Sequence, residues 1–165
     1  MKQLIKIFLA FVLVHSGIAF ADPLNITALM VAKEQIRLDF NDGSGHFVLM
    51  VKREGQATGT GVFAGASVTE FGRHDITPRI TGDASAYLVL TQGAGNIAYI
   101  KCTANGIFFT DKDGKLEIRG DGLWEVVSGI GVFKGMKGAG KLHIRPGSTP
   151  MERTFILEGE TSLPQ

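Results

Sequence analysis

Short runs with a two-residue hydrophobic period, each bounded by glycine, recur along this chain and set its fold class. Lys115–Arg119 turns Leu116 and Ile118 one way and Lys115, Glu117 and Arg119 the other; Lys141–Arg145 does the same with Leu142 and Ile144. Glu152–Glu158 spaces Phe155 and Leu157 by two, and His46–Lys52, Ala84–Thr91, Asn96–Thr103 and Ile107–Thr110 are short apolar runs of strand length. Successive side chains of a strand point to opposite faces, so this period marks strands. Glycine, at 22 of 165 residues, is about twice its average usage of roughly 7%. Asp42-Gly43, Asp113-Gly114 and Asp121-Gly122 have turn chemistry, because glycine takes the positive φ of tight hairpins. Only Ile26–Gln35, with Leu29, Met30 and Lys33, fits a short helix. The spacing predicts an all-β domain of roughly eight strands, a barrel or a sandwich; a single antiparallel closed barrel is the expectation adopted, since closure also removes exposed sheet edges.

The first 21 residues stand apart. Lys2 and Lys6 precede the apolar run Ile7–Val14, and Ala19-Phe20-Ala21 follows as a small-residue cleavage site. That order is a secretory signal peptide, too short and wrongly flanked for a membrane span. Residues 1–21 are therefore expected to be removed near Ala21, leaving 22–165 as one exported barrel domain, periplasmic or secreted. Loss of Lys2 and Lys6 leaves 15 Lys and Arg against 16 Asp and Glu, a net charge of −1. This balance excludes a strongly basic nucleic-acid binder. No later stretch has the eighteen or so apolar residues of a spanning helix. The lone Cys102 permits no internal disulfide, and Ala98 and Ile100 on its strand face point to a buried thiol.

An internal echo connects two distant segments. Gly59-Thr60-Gly61-Val62-Phe63-Ala64-Gly65 matches Gly129-Ile130-Gly131-Val132-Phe133-Lys134-Gly135 at five of seven positions. A tight strand entry with phenylalanine filling a barrel end accounts for it, and two pseudo-repeated halves are the expectation. The second copy sits in a longer pattern, Gly120-Asp121-Gly122-Leu123-Trp124-Glu125 followed by Gly129 through Gly140. That stretch resembles the signature of allene oxide cyclase-like barrel proteins, in which a G-x-G-x-W strand leads into a G-T-G-x-F-x-G-x-x-G-x-G hairpin. The likeness covers Ala84–Glu160, and Ile130 departs from the usual Thr. It implies an eight-stranded antiparallel barrel of an exported bacterial branch; no catalytic residue of the cyclase has a matching position here.

Motifs with chemical meaning are sparse. Gly135-x4-Gly140-Lys141 lacks the Ser or Thr of a phosphate loop, and a strand follows it. Gly93-Ala94-Gly95 precedes a strand where a dinucleotide site needs a helix. Asp111–Gly114 reads as a hairpin turn lacking the acid that closes a calcium loop. Lys134, Lys137 and Lys141 form a solvated rim without interleaved aromatics. His46, His74 and His143 have no local metal spacing, so no metal and no cofactor is expected. Glu70-Phe71-Gly72-Arg73-His74-Asp75 holds the most reactive side chains; it reads as an exposed loop, or else as His74 shuttling a proton with Glu70 or Asp75 orienting it. Glu125, on the face opposite Trp124, would become a candidate acid or base only if it faced inward.

Small barrels either fill their interiors or hold one molecule at the mouth. Tyr87, Tyr99, Phe108, Trp124 and Phe155 could line such a pocket or build an ordinary core. Three readings follow: a binding module for a small apolar molecule, a cyclase or isomerase that folds a hydrophobic substrate, and an interaction protein with a filled barrel.

Overall fold

A computed structural model describes residues 21–164. The expected leader lies outside the described residues except for Ala21. Eight antiparallel strands follow one another around a closed barrel: β1 (Asp22–Asp39), β2 (Phe47–Thr60), β3 (Ser67–Thr77), β4 (Thr81–Thr91), β5 (Ile97–Thr110), β6 (Leu116–Ile130), β7 (Lys137–Pro146) and β8 (Glu152–Ser162). A single 3-10 turn, Gly131–Phe133, joins β6 to β7. β1 closes the barrel on β8, from Asp22 opposite Thr161 to Val31 opposite Glu152. Among the described residues no helix is long and apolar enough to cross a membrane.

Several strand boundaries differ from the sequence expectation. Ile26–Gln35 is not a helix but the middle of β1, where Leu24, Ile26, Ala28 and Met30 alternate into the core. Ala, Leu, Met, Lys, Glu and Gln are good helix formers, yet backbone pairing with β2 on one side and β8 on the other outweighs that preference. A register shift between Ala32 and Glu34 moves Gln35 into line with inward Val51. Asp121-Gly122 is not a turn but lies within β6, where a Cβ on residue 122 would come within 1.8 Å of the Thr103 carbonyl oxygen. Glycine is needed there for close backbone approach, not for a reversal. Ile107–Thr110 continues β5 across Gly106 instead of forming a separate strand. Glu70–Asp75 is likewise not a loop; it forms the heart of β3.

The apolar core fills one end of the barrel. Phe63 and Phe133, the phenylalanines of the two echoing segments, meet there edge to face at 5.4 Å between ring centroids. Leu88, Leu90, Ile100, Trp124 and Phe155 extend this packing towards the middle. Trp124 places its indole N–H on the Glu158 carbonyl at 3.2 Å, which satisfies the one polar atom it buries. The opposite end is built differently. There Gly82, Ala84, Ala104, Gly106 and Gly120 take inward positions on β4 to β6, and their small side chains leave room in the barrel.

The inward and outward assignments have unequal energetic consequences. Replacement of Trp124 by Ala should destabilise the barrel by about 3–5 kcal/mol, as for other large buried aromatics. Tyr87→Ala, at a side chain half exposed on the outer wall, should stay within about 0.5 kcal/mol of the parent. Urea unfolding of the two variants measures the difference, and equal losses would contradict this register.

Candidate functional site at the open barrel end

The open end encloses a cavity of about 290 Å³. Its walls are Phe47 and Leu49 of β2, Ile76 of β3, Ile118 of β6 and Ile144 of β7, with Pro150 and Met151 of the β7–β8 loop at the lip. The apolar wall ends at a charged floor formed by Arg53, His74 and Arg153, with Glu70 one layer deeper. A larger hollow of about 710 Å³ lies over Ile36, Met50, Phe71 and Tyr87. It is an open depression on the outer wall, rimmed by Glu34, Lys52, Arg73 and Lys101; the interior cavity is less open to solvent and is the better site.

Strand alternation assembles the floor. Val68, Glu70, Gly72, His74 and Ile76 all point inward from β3, while Phe71 and Arg73 point outward. Glu70 and His74 are separated along the strand by Gly72, whose hypothetical Cβ would stand 2.4 Å from Glu70 Oε1 and 3.1 Å from His74 Nε2. The absence of a side chain at this position lets the carboxylate and the imidazole turn towards each other. Arg53, directly opposite Glu70 on β2, donates from Nη1 to Glu70 Oε2 at 2.7 Å and lies 3.1 Å from His74 Nε2. His74 Nε2 also stands 3.3 Å from Glu70 Oε1. Nε2 can accept from Arg53 when it lacks a proton or donate to Glu70 when it carries one.

Burial is the strongest single influence on Glu70 and pushes its carboxyl up. The hydrogen bonds and charges of His74 and Arg53 together outweigh burial and hold the group below the ordinary carboxylate range. Arg53 is only 5% exposed and its Nε has no hydrogen-bond partner. Arg153 of β8 shares the inward parity of Phe155 and Leu157. It donates from Nη1 to the carbonyls of Glu152 at 2.6 Å and Pro150 at 3.2 Å. Desolvation, and then the facing charge of Arg53, lower its pKa.

The sequence-predicted residues divide between the two faces. Trp124 and Phe155 are buried below the cavity as packed core, and Phe108 pairs with Ile118 on the inward side at the rim. Tyr87 and Tyr99 belong to the outer wall, because Leu88, Ala98 and Ile100 take the inward positions on their strands. Glu125 also faces out, beside Lys101 at 3.6 Å, so it does not meet the inward-facing condition for an acid or base. His74 reaches the cavity, with Glu70 as its neighbour. Asp75 turns away and meets His46 Nε2 at 2.6 Å; that hydrogen bond holds its carboxyl below the ordinary range despite partial desolvation. Cys102 is buried, and burial, followed by the Glu70 charge, pushes its thiol up to about 12, leaving little thiolate for nucleophilic chemistry. Among the described residues no three His, Cys, Asp or Glu side chains converge as a metal site.

Arg53 and Arg153 had no separate sequence signal of function. Arg53 sits in Lys52-Arg53-Glu54, which reads as a solvated charge run, although its alternation with Val51 marks the inner face. Arg153 could have been found, since it lies two residues before Phe155 on the same side. No protein-family model, curated protein or solved structure matches the chain.

Loss of the Glu70 charge should be costly. Glu70→Gln leaves Arg53 buried without its counter-ion, and a loss of about 3–5 kcal/mol at neutral pH is expected. Because the folded pKa of Glu70 lies below its unfolded value, its stabilisation is complete above the ordinary carboxylate range and disappears as pH falls through the lowered value. Thermal unfolding from neutral to acidic pH should therefore show a shallower acid dependence in Glu70→Gln than in the parent.

Proposed function

We propose that this chain is an exported barrel of the allene oxide cyclase-like type that binds a small, largely apolar molecule at its open end. The carrying observation is the cavity at the barrel mouth, walled by Leu49, Ile76, Ile118 and Ile144 above the buried Arg53–Glu70–His74 group. Its volume is at the small end of ligand sites, and an apolar wall with few convergent polar groups is the usual composition of such a site. The eight-stranded antiparallel closure agrees with the architecture that the resemblance implies. The amino-terminal pattern of Lys2, Lys6 and Ile7–Val14 supports export.

An uncharged apolar fluorescent probe such as N-phenylnaphthylamine should bind the folded protein saturably at one site. Leu49→Trp, which places an indole in the mouth from a half-buried position, should retain cooperative unfolding and lose the probe. Equal binding by parent and variant would remove the barrel mouth as the site.

A reaction on the bound molecule is the second reading, favoured by the contact of His74 with the cavity. Positioning of a flexible apolar substrate together with one proton transfer would suit cyclisation or isomerisation. Mass spectrometry of ligand recovered after incubation would show an isomer with altered chromatographic retention, formed by the parent and not by His74→Ala. Unchanged ligand in both would leave binding alone.

A further inference from the structure

We infer that the ligand of this cavity is a compact monocarboxylate, its anionic head on Arg53 and Arg153 and its apolar body along Leu49, Ile76, Ile118 and Ile144. The inference rests on the proposed binding at the barrel mouth and adds the chemistry of the head group. It begins with the charges that surround the cavity. Arg37, at the lip, donates to Asp39 and lies over the Phe47 ring at 3.7 Å. Arg53 is matched by Glu70. Arg153 forms no ion pair among the described residues. The nearby Glu117 is engaged by Lys115; Asp83 contributes to the cavity lining, but it is exposed on β4 between inward Gly82 and Ala84 and forms no ion pair with Arg153. One positive charge at the floor is left without a counter-ion.

The donors tell the same story. Arg153 is fixed by Nη1 on two backbone carbonyls, and its Nε and Nη2 engage no acceptor among the described residues. Arg53 uses only Nη1, on Glu70 and His74; its Nε is buried without a partner. Both guanidinium groups line the cavity, the Arg53 charge lowers the proton affinity of Arg153, and Nη2 of each engages no acceptor among the described residues. An arginine fork with open donors matches a planar carboxylate in both spacing and charge. A single excess charge, with the Glu70 carboxylate just beneath, favours a monoanion over a phosphate dianion. Gly82, Ala84, Ala104, Gly106 and Gly120 provide the room above the floor for the apolar body.

The test uses ligands with one apolar body and different heads: octanoate, octanol and octylamine, titrated calorimetrically into the folded chain, with displacement of the uncharged probe as a second readout. Octanoate should bind about ten- to hundredfold more tightly than octanol, the range of a charged hydrogen bond, and octylamine should bind most weakly. Arg153→Met should bring octanoate down to the affinity of octanol while leaving octanol and the probe unchanged. Arg153→Lys, which keeps the charge but loses the fork, should retain part of the preference and serves as the folding control. Equal binding of octanoate and octanol by the parent would overturn the carboxylate inference while the barrel-mouth site stands. A preference that survives unchanged in Arg153→Met would overturn it too. Failure of all three ligands and of the probe would overturn the binding site itself.

Discussion

Closure of β1 against β8 determines what every other inward side chain can do. With no free edge, the strand direction and register are fixed around the whole ring, and each strand has one face committed to the interior. A slip of β1 by one residue would exchange Leu24, Ile26, Ala28 and Met30 for Asn25, Thr27 and Leu29 in the core. The cost of that exchange holds the register. The same constraint carries Glu70, Arg53 and Arg153 inward, because each lies an even number of residues from a core position on its own strand.

A gradient of side-chain size along the barrel axis converts this register into a cavity. Phenylalanine, leucine, isoleucine and tryptophan occupy the end that holds Phe63 and Phe133, whereas glycine and alanine occupy the inward positions of β4 to β6 at the other. A barrel of eight strands has just enough interior for side chains to fill it, so small residues at one end leave a pocket. The Arg53–Glu70–His74 group stands at the boundary between filled and open halves. There a buried ion pair is held by neighbours on two strands, and its exposed side meets the cavity.

Much of the architecture was legible before any coordinates. The runs at Lys141–Arg145 and Glu152–Glu158 fall within β7 and β8, the Asp42-Gly43 and Asp113-Gly114 turns lie between strands, and Trp124 and Glu125 point to opposite faces. The errors have a common physical origin in local preference. β1 is rich in good helix formers, and only its two neighbouring strands hold it extended. β3 was hidden because its inward face contains Glu70, Gly72 and His74 while Phe71 points to solvent, which inverts the usual pattern of apolar inside and polar outside. Aromatic residues proved a poor guide to the cavity for a similar reason. Tyr87 and Tyr99 occupy outward positions, and Trp124 and Phe155 are packed too tightly to leave space.

The sequence by itself determined that the chain would form paired strands: period-two alternation and glycine turns are local properties, read within a few residues of one another. It also determined which side chains would be small, since Gly82, Ala84, Ala104, Gly106 and Gly120 are small in any conformation. Tertiary structure alone decided that Arg53, Glu70, His74 and Arg153 share one floor. They come from three strands, and their proximity depends on the register of each pairing and on closure. Parity with Val51 or Phe155 can place a charged side chain on the inner face, but which charges meet there is settled only by the pairing of strands around the closed barrel.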